Sequence, residues 1–154
     1  MIRLLSGLSE IFDEYFKTEN TFLKYSLCYR ILWLLSESSL LEGKGSSNEL
    51  FHVLDFIKLN YTKKLTIATL AAIANTSEAN FYLIFKKQFG LSPIAYLNSY
   101  RLAIASERLV ETELSVGEIG ASVGICDPLY FSKLFKKSYG LSPKEYRKER
   151  LKKQ

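Results

Sequence analysis

Histidine, methionine and tryptophan each occur once in 154 residues, cysteine twice and proline three times. Each shortage removes a class of function. His52 is the only histidine and has no cluster of ligands around it, so it reads as an ordinary helix residue, without metal binding or acid–base work. Cys28 and Cys126 are far apart and not in CxxC spacing, so neither a zinc site nor a disulfide framework is expected. Cys126 stands near a helix start, where a thiol can be acidified, but Asp127 beside it opposes that shift and leaves a turn residue. No glycine-rich loop could cradle a phosphate, and no Ser or Cys is placed with a base. An enzyme is therefore not expected, and no cofactor or metal with it. No apolar run approaches the roughly 18 residues of a membrane span. The region after Met1 lacks the basic opening and the small-residue cleavage site of a signal peptide. The expectation is a cytoplasmic protein with no membrane partner.

What the chain does have is apolar bulk, with 47% hydrophobic residues, ten Phe and ten Tyr. That content can bury one substantial core or two small ones. Apolar residues recur at three and four, and prolines are few, which points to an all-α fold. One phrase occurs twice. Phe81 to Tyr96 reads FYLIFKKQFGLSPIAY and Phe131 to Tyr146 reads FSKLFKKSYGLSPKEY, with nine identities in sixteen positions at an offset of 50. A repeat on this scale means one supersecondary unit present in two copies. Charge follows the repeat. Residues 1–45 hold five Lys and Arg against six acids, whereas residues 46–154 hold sixteen against ten. The basic excess lies in the half that carries the repeat, as a polyanion-binding surface would require.

In chain order, Leu4, Leu5, Leu8, Ile11, Phe12, Tyr15 and Phe16 mark one amphipathic helix. A second runs from Phe22 to Leu41, and the pair makes a helical hairpin over residues 1–41, with enough apolar surface to need a partner. EGKGSSN, residues 42–48, has the composition of a flexible linker. Asn48 or Ser47 can cap a helix from Glu49 to about Asn60, with Leu50, Val53, Leu54, Ile57 and Tyr61 inward. The first repeat unit covers about 66–89: a short helix from Ile67 to Ala74, a turn at Asn75-Thr76, then Ser77 capping a helix from Glu78 to Phe89. The second covers about 116–139: Val116 to Val123, a turn at Gly124-Ile125-Cys126, then Asp127 as cap with Pro128 at the first helical position. Ser115 and Glu118 form a capping box at its start. Between the units Ser92-Pro93 opens a helix of about 93–110, whose Leu97, Leu102, Ala105 and Leu109 face inward. Its roughly 18 residues span about 27 Å, close to the roughly 34 Å between successive major grooves on one face of DNA. Ser142-Pro143 opens a last helix rich in Lys and Arg.

Helix, short turn, helix is the helix-turn-helix arrangement, and its second helix enters the major groove. On a helical wheel Phe81, Phe85 and Phe89, and their counterparts Phe131, Phe135 and Tyr139, form the inner side. The outer side presents Ala79, Leu83 and Lys86 in one copy and Leu129, Lys133 and Lys136 in the other. Asn80, Tyr82 and Lys87 flank the first set; Tyr130, Ser132 and Lys137 flank the second, with Pro128 leading it. These thirteen positions are the candidate DNA contacts. A bland reading, in which they are solvated faces of a helical repeat, is weakened by a KK pair in both copies.

Residues 49–150 resemble the DNA-binding domain of AraC/XylS-type bacterial transcription regulators. The marks are Gly124-Ile125, Tyr130 to Lys137 (YFSKLFKK), Gly140-Leu141-Ser142-Pro143 and Tyr146-Arg147, behind a linker helix with Arg101-Leu102 and Ala105. The resemblance implies seven helices in a domain over 49–154, two helix-turn-helix units on successive major grooves, and a transcriptional activator or repressor. Its implied partners are double-stranded DNA, RNA polymerase, and a second copy through residues 1–41, which resemble the family's helical dimerising tail. A ligand-sensing barrel does not fit in those residues, so the chain is either a piece of a longer regulator or a short one without a sensor. Two departures set it apart. Leu83 stands where the family usually has a basic residue, and Pro128 and Leu129 stand where polar readers are common. The second unit is therefore expected to supply most charged contacts, while the first reads thymine methyls through Ala79 and Leu83 or anchors the backbone. The rival expectation is a helical interaction module without specific DNA binding, which accounts for the hairpin but not for two basic helices.

Overall fold

The structure, a computed structural model, describes residues 46–152, and the hairpin expected over residues 1–41 lies outside them. The described residues are all-helical, in seven helices: α1 (Ser46–Asn60), α2 (Ile67–Ile73), α3 (Glu78–Phe89), α4 (Pro93–Glu111), α5 (Val116–Ser122), α6 (Pro128–Tyr139) and α7 (Pro143–Leu151). Local chemistry sets most of the starts. The hydroxyls of Thr66, Ser77, Ser92, Ser115 and Ser142 accept from the backbone N–H three residues on, and Asp127 accepts from Leu129 and Tyr130. Each bond satisfies a donor that the first turn of a helix leaves free. Gly90 and Gly140 end the two recognition helices in the left-handed conformation, which glycine adopts without steric cost.

One start differs from expectation. α1 begins at Ser46, so Ser47 and Asn48 lie inside the helix instead of capping it, and the helix takes in the last part of the expected linker 42–48. Nothing in Ser-Ser-Asn stops a helix as proline would, and Glu49 in the first turn favours the positive end of the helix dipole.

Two cores hang on α4. In the first, Leu50, Phe51, Val53, Leu54 and Ile57 of α1, Leu70 and Ala71 of α2, and Phe81 and Phe85 of α3 surround Tyr96 and Leu97. In the second, Ile119, Val123, Ile125, Phe131 and Phe135 surround Leu102, Ala105 and Leu109. α7 closes the second core by setting Tyr146 edge-on against Phe135, with ring centroids 5.3 Å apart. Tyr96 does the same for Phe85 in the first, at 5.6 Å. Each of the fully buried Phe85 and Phe135 brings about 1.5–3 kcal/mol of hydrophobic stabilisation. Phe51 is buried alongside the residues expected to face inward, which widens the apolar face of α1.

A repeated arginine device ties each unit to the helix before it. Arg101 Nε and Nη2 donate to the carbonyls of Tyr61 and Lys63 in the α1–α2 elbow, both at 2.7 Å. Arg147 does the same for the α4–α5 elbow, donating to the carbonyls of Leu109 and Leu114. The planar five-donor fork of arginine suits two adjacent carbonyls. Burial pushes the Arg101 guanidinium below its ordinary pKa, while Tyr130 and Cys126 nearby act the other way.

The turns of the two units solve one problem differently. Asn75 takes a positive φ of 48° in the first and Gly124 one of 82° in the second. Asparagine tolerates that region among non-glycine residues. Gly124 is required for a further reason: a Cβ there would sit 2.5 Å from the carbonyl oxygen of Thr62. The backbone of the first unit's elbow thus runs directly against the second unit's turn.

Candidate nucleic-acid interface

The buried faces of α3 and α6 leave their opposite faces outward. Phe81, Phe85, Phe131 and Phe135 are fully buried, and Phe89 and Tyr139 pack against the edges of the two cores. Along α3, Ala79, Asn80, Leu83, Lys86 and Lys87 are exposed and Tyr82 is half-buried. Along α6, Pro128, Leu129, Tyr130, Lys133, Lys136 and Lys137 are exposed and Ser132 is half-buried. Every candidate position therefore borders solvent on one of two equivalent helices. Leu83 is 65% exposed and Leu129 74% exposed. Leu83 stands mid-helix on its outer face and Leu129 in the first turn of α6.

Several flanking side chains are already occupied. Asn80 Nδ2 donates to Thr76 Oγ1 at 2.8 Å, which fixes its amide against the turn. Ser132 Oγ donates to the Pro128 carbonyl at 2.8 Å, so its hydroxyl serves the helix first. Lys86 Nζ lies 5.9 Å from the centre of the Tyr82 ring, which props the ammonium outward along the helix. The Tyr130 hydroxyl accepts a 3.4 Å hydrogen bond from Asn98 Nδ2 of α4. That bond holds the leading turn of α6 to the linker helix. The lysine pairs project from the outer turns, and Lys133 occupies the centre of α6 where α3 has Leu83.

The two faces therefore share a scaffold and differ in chemistry. α3 offers a small methyl, an amide, a phenol ring and an aliphatic branch ahead of its two lysines. α6 offers an aliphatic branch, a phenol and a central ammonium ahead of its pair. Backbone N–H groups at each helix start, though capped by Ser77 and Asp127, add the positive end of the helix dipole. The whole arrangement can hold two stretches of phosphodiester backbone and put a few side chains at base edges.

Composition and spacing point to the outward positions but not to the residues that aim them. Arg101, Arg108, Arg147 and Asn98 work through partners 14 to 47 residues away in sequence. Only the fold brings those partners together. Arg101 and Arg108, the basic residues of the linker helix, are spent inside the protein: Arg108 Nη1 donates to Ser122 and its Nη2 to the Tyr61 hydroxyl.

Comparison with known proteins agrees with this geometry. The family model described as "Helix-turn-helix domain" matches residues 70–149. The lactose operon transcription activator of Staphylococcus xylosus is 32% identical over 151 residues, covering 96% of this chain and 53% of that protein. A transcriptional regulator from Chromobacterium violaceum, described as AraC-type, superposes with a TM-score of 0.63 at 25% identity, covering 69% of this chain and 95% of the other. The DNA-binding domain of AdpA, solved with a target DNA, superposes at 0.61 with 26% identity, covering 66% and 91%. The chain spans about half the length of the curated relatives it matches.

Proposed function

We propose, from the premise that this chain belongs to the AraC-type helix-turn-helix family, that it regulates transcription by inserting α3 and α6 into two successive major grooves of double-stranded DNA. The observation that carries this reading is the pair of equivalently capped helices, each with an exposed lysine pair, held on one shared helix. The AdpA domain, of the same fold, was crystallised with its target DNA, which supports DNA as the polyanion. Relatives named as transcription activators support activation as the direction of control. Contact with RNA polymerase and pairing of two copies through residues 1–41 accompany this reading, as does a cytoplasmic location. Among the described residues no helix is long and apolar enough to cross a membrane.

The domain division follows the same reading, with a tail over 1–41, a linker over 42–48 whose last three residues α1 takes in, and a DNA-binding unit over 49–154. Selection of bound duplexes from a random pool tests the mechanism. Recovered sites should carry two short blocks of base preference about one helical turn apart. A site limited to one major groove would sink it, and no enrichment at all would favour an interaction module instead.

A further inference from the structure

We propose that Lys63 and Lys64, in the elbow between α1 and α2, form a third DNA contact that grips phosphates lying between the two major grooves. The inference rests on the two-groove reading and extends it to a segment that neither recognition helix contains. In sequence the elbow leads into the first unit. In space it sits beside the leading end of the second unit's recognition helix. Thr62 lies against the turn at Gly124, three residues ahead of the Asp127 cap, with 2.5 Å from its carbonyl oxygen to where a Cβ would be. Arg101 holds the elbow carbonyls of Tyr61 and Lys63. Arg108 joins the Tyr61 hydroxyl to the end of α5. A helix-turn-helix presents the leading end of its second helix to the groove, with phosphates on either side of it. A segment packed beside that end, on the side of the other unit, faces the backbone between the grooves.

The charge distribution agrees with this placement. Lys63 and Lys64 are both exposed. Lys63 Nζ donates to Asn60 Oδ1 at 2.8 Å, which steadies the ammonium and leaves it further donors. The corresponding elbow of the second unit carries Thr112 and Glu113 at the 49-residue offset. That elbow is held by Arg147 of α7. Basic residues thus occupy the elbow that packs against the other unit's turn, and an acid occupies its counterpart. They also lead into the unit whose recognition helix has Leu83 where the other has Lys133.

The test compares the full chain with its Lys63→Ala/Lys64→Ala variant on a selected duplex and on a random-sequence duplex, measuring Kd across a series of salt concentrations. Removing one lysine from a phosphate should flatten the slope of log K against log salt by about 0.9, so the double variant should be shallower by about 1.8 on both duplexes. Lys64→Gln alone, which leaves the Lys63 to Asn60 bond in place, should show about half of that change. Phosphate ethylation that weakens the unsubstituted chain but not the variant should map between the two groove footprints. An unchanged slope overturns the proposal, as does a weakening confined to the selected sequence or ethylation signals mapping inside a footprint. Failure of the unsubstituted chain to bind either duplex is a separate result, and it overturns the two-groove reading together with this one.

Discussion

Arg101 shows how little of a residue's work its type announces. A basic residue on a basic domain reads as a DNA contact, yet this one is 8% exposed and gives two hydrogen bonds to the backbone of an elbow 38 and 40 residues away. Arg101→Met keeps the apolar bulk and leaves two carbonyls without donors, each costing about 1–3 kcal/mol. Urea titration of the variant should show that loss, and Arg101→Lys should recover little, because an ammonium cannot span both acceptors. Glu118 and Glu145 make the opposite case: the box expected at Ser115–Glu118 and a second one that the structure forms at Ser142–Glu145 rest on neighbours three residues away. Hydrogen bonds from Ser115 and from Ser142 hold both carboxyls below their ordinary pKa. A depressed carboxyl lends stability that is complete above its unfolded value and disappears as pH falls through the lower folded one. Thermal melts should therefore decline below the ordinary carboxylate range near 4.5, and Glu118→Gln should weaken that decline. An identical pH profile in the variant would count against the box. Capping of this kind was legible in the sequence because its chemistry is local; the arginine clamps were not, because their acceptors are main-chain oxygens with no side-chain signature.

At the scale of elements, α3 and α6 are one design executed twice. Their boundaries, inner aromatics and outward lysines all follow from periodicity and caps, and the expected spans of both agree with the structure. α1 was less legible: its start lacks a stop signal, and the burial of Phe51 depends on Phe89 of α3, whose ring meets it edge-on at 6.3 Å. At the centre of their outer faces the two helices differ in charge, with Leu83 in α3 and Lys133 in α6. Lys133→Ala should weaken binding to a selected site by about 1–3 kcal/mol if the ammonium reaches a base. A uniform loss on all sequences, with a shallower salt slope, would assign it to phosphate. Leu83→Lys should do the reverse in the first unit, steepening the slope by about 0.9 and eroding preference for thymine at the bases it faces. If a base-substitution scan instead finds strong guanine preference under α3, the apolar reading of that helix fails, because Ala79, Asn80, Tyr82 and Leu83 offer no bidentate Arg contact to guanine.

Over the whole molecule, the junction between the units decides what they can bind together. Thr62 lies against Gly124, Arg108 of α4 bonds to both Ser122 and the Tyr61 hydroxyl, and Arg101 of α4 holds the same elbow, so the two halves meet at more than the helix axis. Gly124→Ala would put a methyl into the Thr62 carbonyl and impose a left-handed φ that costs alanine about 1–2 kcal/mol. The variant should melt lower, and its affinity should fall more on a duplex with both groove sites than on one with a single site. Equal losses on the two duplexes would mean that the junction contributes stability alone. None of these junction contacts could be read from the chain, since each joins residues that only packing makes neighbours.

The way α4 serves both cores has a consequence in rotation. Leu97 faces the first core and Leu102 the second. An α-helix turns about 100° per residue, so those five steps set the two bodies about 140° apart around a common axle. The angular relation of the heads is thus counted out in residues, just as the sites on a duplex are counted out in base pairs. One residue added between Leu97 and Leu102 would swing one head by about 100° while moving it only about 1.5 Å along the axis. What such an insertion disturbs is phase more than reach. The length of this short stretch of helix is a dial setting, matched to the winding of whatever thread the two heads read.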